Sequence, residues 1–385
     1  MLNNITKKVE SKFSDILQTA SELIMIPSRN PPGEEKGCAQ YIYSRLKEIG
    51  YETYQINHPF IDRPQVVGLL RGKNSNAILL NGHIDTVPEG DISKWSMDPF
   101  SGAIKDGYLY GRGSVDMKSS LALMIHVAEF TESDATVLLM FAIGEERAEP
   151  GTSTLLSWIK KFDLRIKYGL VMEPTALQIA TSQKGAVWFK IKSRGKAAHA
   201  SLPSKGINAI DIAYDIIKVI PQYAKKISNE THPVAGAPTC SITMINGGIK
   251  ENVIPDSCEI VIDRRLVPGE SSSEVVKELS LLLRKNQLNC EIMKLGARDP
   301  VELTKDSMLA RIILNVMHKL NIQSNTTCFA GATDNEHIVS SGIESLVWGP
   351  GDLTLAHAIN ERISVSEVKN AAIALGLALN ELGCV

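Results

Sequence analysis

The chain is short of several features that would each mark a class of protein. Its 385 residues carry 41 Lys and Arg against 43 Asp and Glu, a formal net charge of -2. Without a basic excess there is no global field to draw in nucleic acid or an anionic membrane. The six cysteines, at positions 38, 240, 258, 290, 328 and 384, include no C-x-x-C pair. That spacing excludes a zinc ribbon or redox dithiol and fits reduced thiols. No run approaches the ~18 apolar residues of a membrane span. The N-terminus mixes charges with apolar residues and lacks a signal peptide's apolar centre and cleavage site. A soluble, cytoplasmic chain acting on a small or neutral molecule is expected, with no nucleic acid and no membrane as partner. An internal repeat is absent, as is any linker rich in Gly, Ser or charge. Only eight residues are histidine, few enough to weigh one by one.

What is present points to an ordinary folded protein of more than one domain. Hydrophobic residues make up 44% and charged residues 22%, values that exclude a disordered or collagen-like chain. At about 150 residues per domain the length predicts two or three domains. An opening helix breaks at the tandem prolines of IPSRNPPGEE, which cannot continue it, and a second helix follows over 39–49. Strand-like runs at 66–70, 77–80, 135–144 and 168–172 then alternate with helical stretches at 118–130 and 152–160. That order predicts an α/β fold in which helices flank a sheet. From 185 the order becomes strand 185–194, helix 208–224, strands 239–246 and 257–265, helix 273–285 and strand 289–294. This β-α-β-β-α-β sequence is the ferredoxin-like arrangement, and it reads as a domain inserted at 181–296. Helix and strand alternation resumes with 307–320, 345–348 and a closing helix over 365–382. Residues 1–180 and 297–385 would then form one discontinuous domain.

Loops at the carboxyl ends of strands are where α/β sheets place their sites, and four such loops carry acids or histidine. The first, GHIDTVP, places His83 and Asp85 two apart, so that the acid can orient an imidazole whose other nitrogen binds a metal. A structural His-Asp pair would look the same. In GRGSVDMKSS, Asp116 sits where a helix-initiating acid also would. Glu145 and Glu146 follow the most apolar run of the chain. Adjacent carboxylates at the mouth of a buried strand repel unless a cation or proton compensates them, although a solvated acidic loop is the alternative. Glu149, nearby, fits a bystander. Glu173 in VMEPT also follows an apolar strand, and His357 lies far downstream in AHAINE. Five such ligands with a spare carboxylate suit two metals about 3.5–4 Å apart, bridged by one acid.

These segments together, with W-x-x-x-PF at 95–100, GKAAHAS, ENVIP, the D-x-R of Asp263 to Arg265, GATD and GPG-x5-HAINE, resemble the acetylornithine deacetylase, succinyl-diaminopimelate desuccinylase and aminoacylase family. The match runs in order through essentially the whole chain. The resemblance implies a zinc-peptidase-like catalytic domain with a mixed sheet, an inserted dimerisation domain, and two divalent metal ions, zinc or alternatively cobalt. It implies that His83 and Glu173 hold one metal, that Glu146 and His357 hold the other, and that Asp116 bridges them. It further implies Glu145 as general base and Asp85 as the residue that orients His83. His199, an ordinary surface histidine by itself, would stabilise the oxyanion across a homodimer. Asn252 and Arg265 would bind a substrate carboxylate, and Gly331 would lie in a substrate-contacting loop.

The implied reaction is hydrolysis of the amide of a small N-acylated amino acid by a metal-bridged hydroxide, with the Glu base passing its proton to the leaving amine. The alternative is a di-, tri- or carboxypeptidase of the same fold, for which a free substrate amine would need an acidic contact. A two-metal phosphoesterase fits poorly with the neutral charge and the lack of a Gly-rich phosphate cradle. A catalytically dead scaffold fits poorly with a complete ligand set. In GATDNEH, Ala332 stands where the similar desuccinylases carry a threonine in a GGTSDG-type loop, so the succinyl-specific contact is not reproduced.

Overall fold

Thr136 apart, residues 135–143 are apolar without alternation, as in a strand buried on both faces. In the computed structural model, which describes residues 1–73, 75–304 and 306–384, they form the strand Thr136–Ala142, every residue of it buried. The described residues fall into two units. One comprises Met1–Thr181, Leu303–Thr327 and Thr333–Val385, the other Ser182–Glu302 with Cys328–Ala332.

In the first unit the sheet order runs Glu52–Ile56, Gln65–Leu70, Thr136–Ala142, Asn76–His83, Arg165–Val171, Glu344–Val347, Ile179–Gln183. Asn76–His83 lies parallel to both neighbours, and Glu344–Val347 joins parallel to Arg165–Val171. The outer pairings are antiparallel, so the sheet is mixed. Ile78, Leu80, Val137, Leu139, Phe141 and Leu170 share one core with side chains from helices Leu2–Met25, Ser119–Phe130 and Val365–Gly383. The intervening Leu79, Leu138 and Met140 are buried too, on the face where helices Gly151–Ile159 and Asn335–Ser340 meet the strands. Covering both faces is what removes the period of two from these strands.

The second unit keeps that period. Ser257–Leu266 alternates intermediate and buried positions without exception, because helices cover one face of its sheet only. The strand order is Thr239–Gly247, Ser257–Leu266, Gly185–Arg194, Cys290–Arg298, antiparallel throughout. Phe189, Ile191, Ile260 and Ile262 pack with Ala213, Ile216 and Ile220 of helix Ala209–Ile227 and Leu279 and Leu283 of helix Ser272–Lys285. Chain order is β-α-β-β-α-β.

Periodicity does not anticipate the edge strand Glu52–Ile56, or Ile179–Gln183, or the small sheet of Ile104–Lys105, Tyr108–Tyr110 and Arg362–Ser364. These are short, partly polar strands whose pairing depends on distant partners. They carry no run of apolar residues to announce them.

Candidate metal centre

Parallel strands put their carboxyl ends on one edge, and the first unit uses that edge. His83 is the last residue of Asn76–His83, Glu145 and Glu146 follow Thr136–Ala142, and Glu173 follows Arg165–Val171. Gly144, at φ 78, makes the turn that delivers the two glutamates. A Cβ there would lie 2.5 Å from Glu149, so only glycine fits both the conformation and the space. Asp116 arrives from the turn before helix Ser119–Phe130. His357 comes from an irregular loop, with a left-handed φ of 60 that a non-glycine residue adopts only where its surroundings impose it.

These residues form two overlapping groups. His83, Asp116 and Glu173 make one, Asp116, Glu146 and His357 the other, and the donor atoms within each lie within 4.8 Å of one another. His83 Nε2 is 2.9 Å from Asp116 Oδ1 and 3.6 Å from Glu173 Oε1. His357 Nε2 is 3.2 Å from both Asp116 Oδ2 and Glu146 Oε1. The two oxygens of Asp116 thus face different groups. His83 Nδ1 is 2.8 Å from the Asp85 backbone carbonyl. Since a carbonyl only accepts, Nδ1 carries a proton, which makes Nε2 the nitrogen that faces the acids and that a metal would take.

Electrostatics set these acids apart from an ordinary ion-pair network. Burial pushes Glu173 well above the usual carboxylate range, and the charge of Asp116 adds to the shift. Glu146 is raised by burial as well, with Asp116 again adding. Asp116 is also buried, but hydrogen bonds with His357 and His83 outweigh that and hold it low. Hydrogen bonds with Asp116 and Glu146 push His357 up to about 10. Burial opposes the charge on His83, yet Asp116 and Asp85 hold it well above the ordinary imidazole value. Two imidazoles and three carboxylates, crowded and mostly dry, have the donor chemistry of divalent cation sites, and such cations would relieve the repulsion.

The surrounding contacts refine several residues. The Asp85 carbonyl accepts from His83 Nδ1, while its carboxylate stands 3.7 Å from that nitrogen. That carboxylate accepts from the backbone amides of Glu145 at 3.3 Å and Glu146 at 3.2 Å, and from Asn30 Nδ2 at 3.0 Å. It therefore sets the paired glutamates. Glu149 accepts from Arg63 at 2.6 Å. Its charge is compensated by an arginine that also binds the fully buried Glu35.

His199, Asn252, Arg265 and Gly331 belong to the second unit. Exposed His199 pairs with Val253, and its Nδ1 lies 2.7 Å from Ser201 Oγ. The Asn252 carbonyl accepts from the amide of the adjoining Ala200 at 2.9 Å, so these two candidates are neighbours. The Arg265 guanidinium is held by Asp263 through Nε at 2.8 Å and Nη2 at 3.0 Å. The sequence pattern does not single out Asn30, Arg112 or Glu361, although Arg112 shares a segment with Asp116 and Glu361 one with His357. Their value depends on contacts made across long stretches of chain.

A model of the peptidase family M20/M25/M40 matches residues 79–381. The chain is 25% identical over 367 residues to the succinyl-diaminopimelate desuccinylase of Thioalkalivibrio sulfidiphilus, covering 92% of this chain and 96% of that one. An M20 family metallo-carboxypeptidase from Sulfolobus solfataricus superposes with a TM-score of 0.84 at 19% identity, covering 96% of this chain and 100% of the other. A dinuclear metal binding peptidase from Bacillus subtilis superposes with a TM-score of 0.68 at 16% identity, covering 98% and 100%.

Proposed function

Because this chain belongs to the peptidase family M20/M25/M40, it is a metal-dependent hydrolase of amide bonds, and we propose that its substrate is a small N-acylated amino acid. The pair of donor groups sharing Asp116 carries the metal-dependent chemistry, and the similarity to a succinyl-diaminopimelate desuccinylase supports the choice of substrate. In this reading His83 and Glu173 hold one ion, Glu146 and His357 the second, and Asp116 both. Zinc suits mixed imidazole and carboxylate ligands, and cobalt is the alternative. When bound, two such ions polarise the scissile carbonyl and lower the pKa of water toward ~7.

The remaining roles fall to the chain's own side chains. Glu145 takes the proton of the attacking water as its oxygen bonds to the carbonyl carbon. It delivers that proton to the amine as the C–N bond breaks. Asp85 supports this by holding the Glu145 amide. His199 donates to the oxyanion. Asn252 and Arg265 take the substrate carboxylate, with Arg265 Nη1 available beside the two nitrogens that Asp263 occupies. Gly331 borders the acyl group.

A homodimer formed through 181–296 brings His199 to the partner's centre. Support comes from apolar side chains left exposed in that unit: Ile210 and Tyr214 on helix Ala209–Ile227, and Met244 and Ile245 on the edge strand Thr239–Gly247. An apolar edge strand is a template for pairing with a second copy. We place the protein in the cytoplasm. Among the described residues no helix is long and apolar enough to cross a membrane.

The deacylase reading is preferred to an aminopeptidase because Glu149, the acid that could meet a free substrate amine, is already engaged by Arg63. A panel of N-acetyl, N-succinyl and other N-acyl amino acids, run beside free and N-blocked peptides with zinc or cobalt, tests this. Amine release from acyl amino acids is expected. Turnover confined to peptides with free N-termini would replace the proposal with a peptidase.

A further inference from the structure

The two ligand groups share Asp116, so the bridge works only if the Asp116 loop and the His357 loop keep a fixed separation. Nothing in either loop is regular enough to hold it. Asp116 and Met117 have non-helical backbone angles, and His357 has its left-handed φ of 60. What joins the loops is a buried ion pair between residues 249 apart in sequence. Arg112 Nη1 meets Glu361 Oε2 at 2.5 Å, with the two side chains 3% and 1% exposed.

Each partner spends its other atoms on the loops. Glu361 Oε1 accepts from the backbone amides of Val115 at 2.9 Å and Asp116 at 3.2 Å. Arg112 donates to the carbonyl of His357 at 3.2 Å and that of Ala358 at 3.4 Å. It also donates to the carbonyl of Pro88 at 3.4 Å, in the loop that follows His83 and Asp85. The guanidinium is stacked on Trp95, 5.3 Å from the ring centroid. Three ligand-bearing loops are therefore tied to one charge pair, which touches no ligand side chain.

We infer that Arg112 and Glu361 are positioning residues, a clasp that sets the spacing of the two metal positions by fixing the backbone of the bridging aspartate against that of His357. The inference rests on the two-ion assignment. It also distinguishes the two positions. The clasp holds the backbone of two of the three ligands in the group of Asp116, Glu146 and His357, but of only one in the group of His83, Asp116 and Glu173. Loss of the clasp must weaken the former more. Hydrogen-bond partners outside the ligand shell typically change metal affinity about 10–100-fold when removed.

The test is metal binding by the full chain. Zinc is titrated into the metal-free wild type, Glu361→Gln and the double variant Arg112→Met/Glu361→Gln, with stoichiometry from elemental analysis and thermal unfolding of each metal-free protein. Cobalt-loaded samples report magnetic coupling between the ions. The wild type should take up two ions. Glu361→Gln should bind one ion within about threefold of wild type and the other at least about tenfold more weakly, with the cobalt coupling reduced. The double variant, which leaves no unpaired buried charge, should regain thermal stability yet keep the weakened ion. A purely structural pair predicts that affinity returns with stability. That result, equal weakening of both ions, or unchanged binding of both would each overturn the clasp. A wild type that takes up fewer than two ions would instead sink the two-ion assignment, and the clasp with it.

Discussion

Replacing Asp116 with Asn keeps the shape of the side chain and removes its charge, and the structure sets how large the effect should be. Each donor group has three protein ligands, and Asp116 is the one common to both. A zinc site ordinarily needs three protein ligands. Asp116→Asn leaves two full donors in each group, so both positions fail together. A ligand at 100 times its dissociation constant stabilises the folded state by about 2.7 kcal/mol. Two ions so bound would therefore contribute about 5 kcal/mol to the wild type. All five donors come from the first unit, which has roughly 260 residues, so that unit's unfolding should rise by about 10–20 °C, at about 2–4 °C per kcal/mol. The second unit contributes no ligand and should not respond. Scanning calorimetry with and without zinc reads the shift, and elemental analysis of dialysed protein reads stoichiometry. The expected result for Asp116→Asn is almost no shift and well under one tightly held ion per chain. If the variant kept both ions and the full shift, Asp116 would not be the shared ligand.

Further outcomes follow from other parts of the site. Glu145→Ala should keep both ions by elemental analysis and lose about 10²–10⁴ in turnover, as expected when a general base is removed; loss of an ion would make Glu145 a ligand. Mixing inactive Glu145→Ala and inactive His199→Ala chains should restore partial activity in steady-state assays if His199 acts across a dimer, and no rescue would confine it to its own subunit. Arg63→Met strips the counter-charge from the fully buried Glu35, 2.5 Å from the Arg63 guanidinium, and should cost about 3–5 kcal/mol near neutral pH. Burial raises the Glu35 pKa in the folded chain. A raised acid loses folding stability as pH climbs from the unfolded value near 4.5 through the folded one, and the full penalty applies above it. Urea unfolding should therefore show a smaller deficit for Arg63→Met at pH 5 than at pH 8, and a deficit independent of pH would refute this account of Glu35.

Local pattern is strong where a strand is long and buried. Thr136–Ala142 is apolar after its first residue, as is the stretch 77–80 within Asn76–His83, and the end of the former can be read because Gly144 and the paired glutamates follow it. The alternation of Ser257–Leu266 is as clear, since one covered face leaves a period of two. Edge strand Glu52–Ile56 has neither signal, because hydrogen bonding to Gln65–Leu70 makes it a strand and composition does not. The same limit applies within the site. Asp116 by itself is indistinguishable from a helix-initiating acid, and Arg265 from half of an exposed ion pair. Only placement showed that one faces two imidazoles while the other is held by Asp263.

By itself the sequence determined which residues carry charge and imidazole at strand ends, and that helices alternate with strands, because burial and hydrogen-bonding propensity are written within a few residues of one another. The tertiary structure decided which strand ends become neighbours. Sheet order places Asn76–His83 between strands that lie about 60 and 90 residues downstream, and that pairing turns separate acids into two groups around Asp116. It also decided the contacts that no local pattern encodes: Asn30 on the Asp85 carboxylate and Arg112 on Glu361. Each joins groups far apart in sequence, and such contacts form only once the whole core has closed and excluded water from the charges it contains.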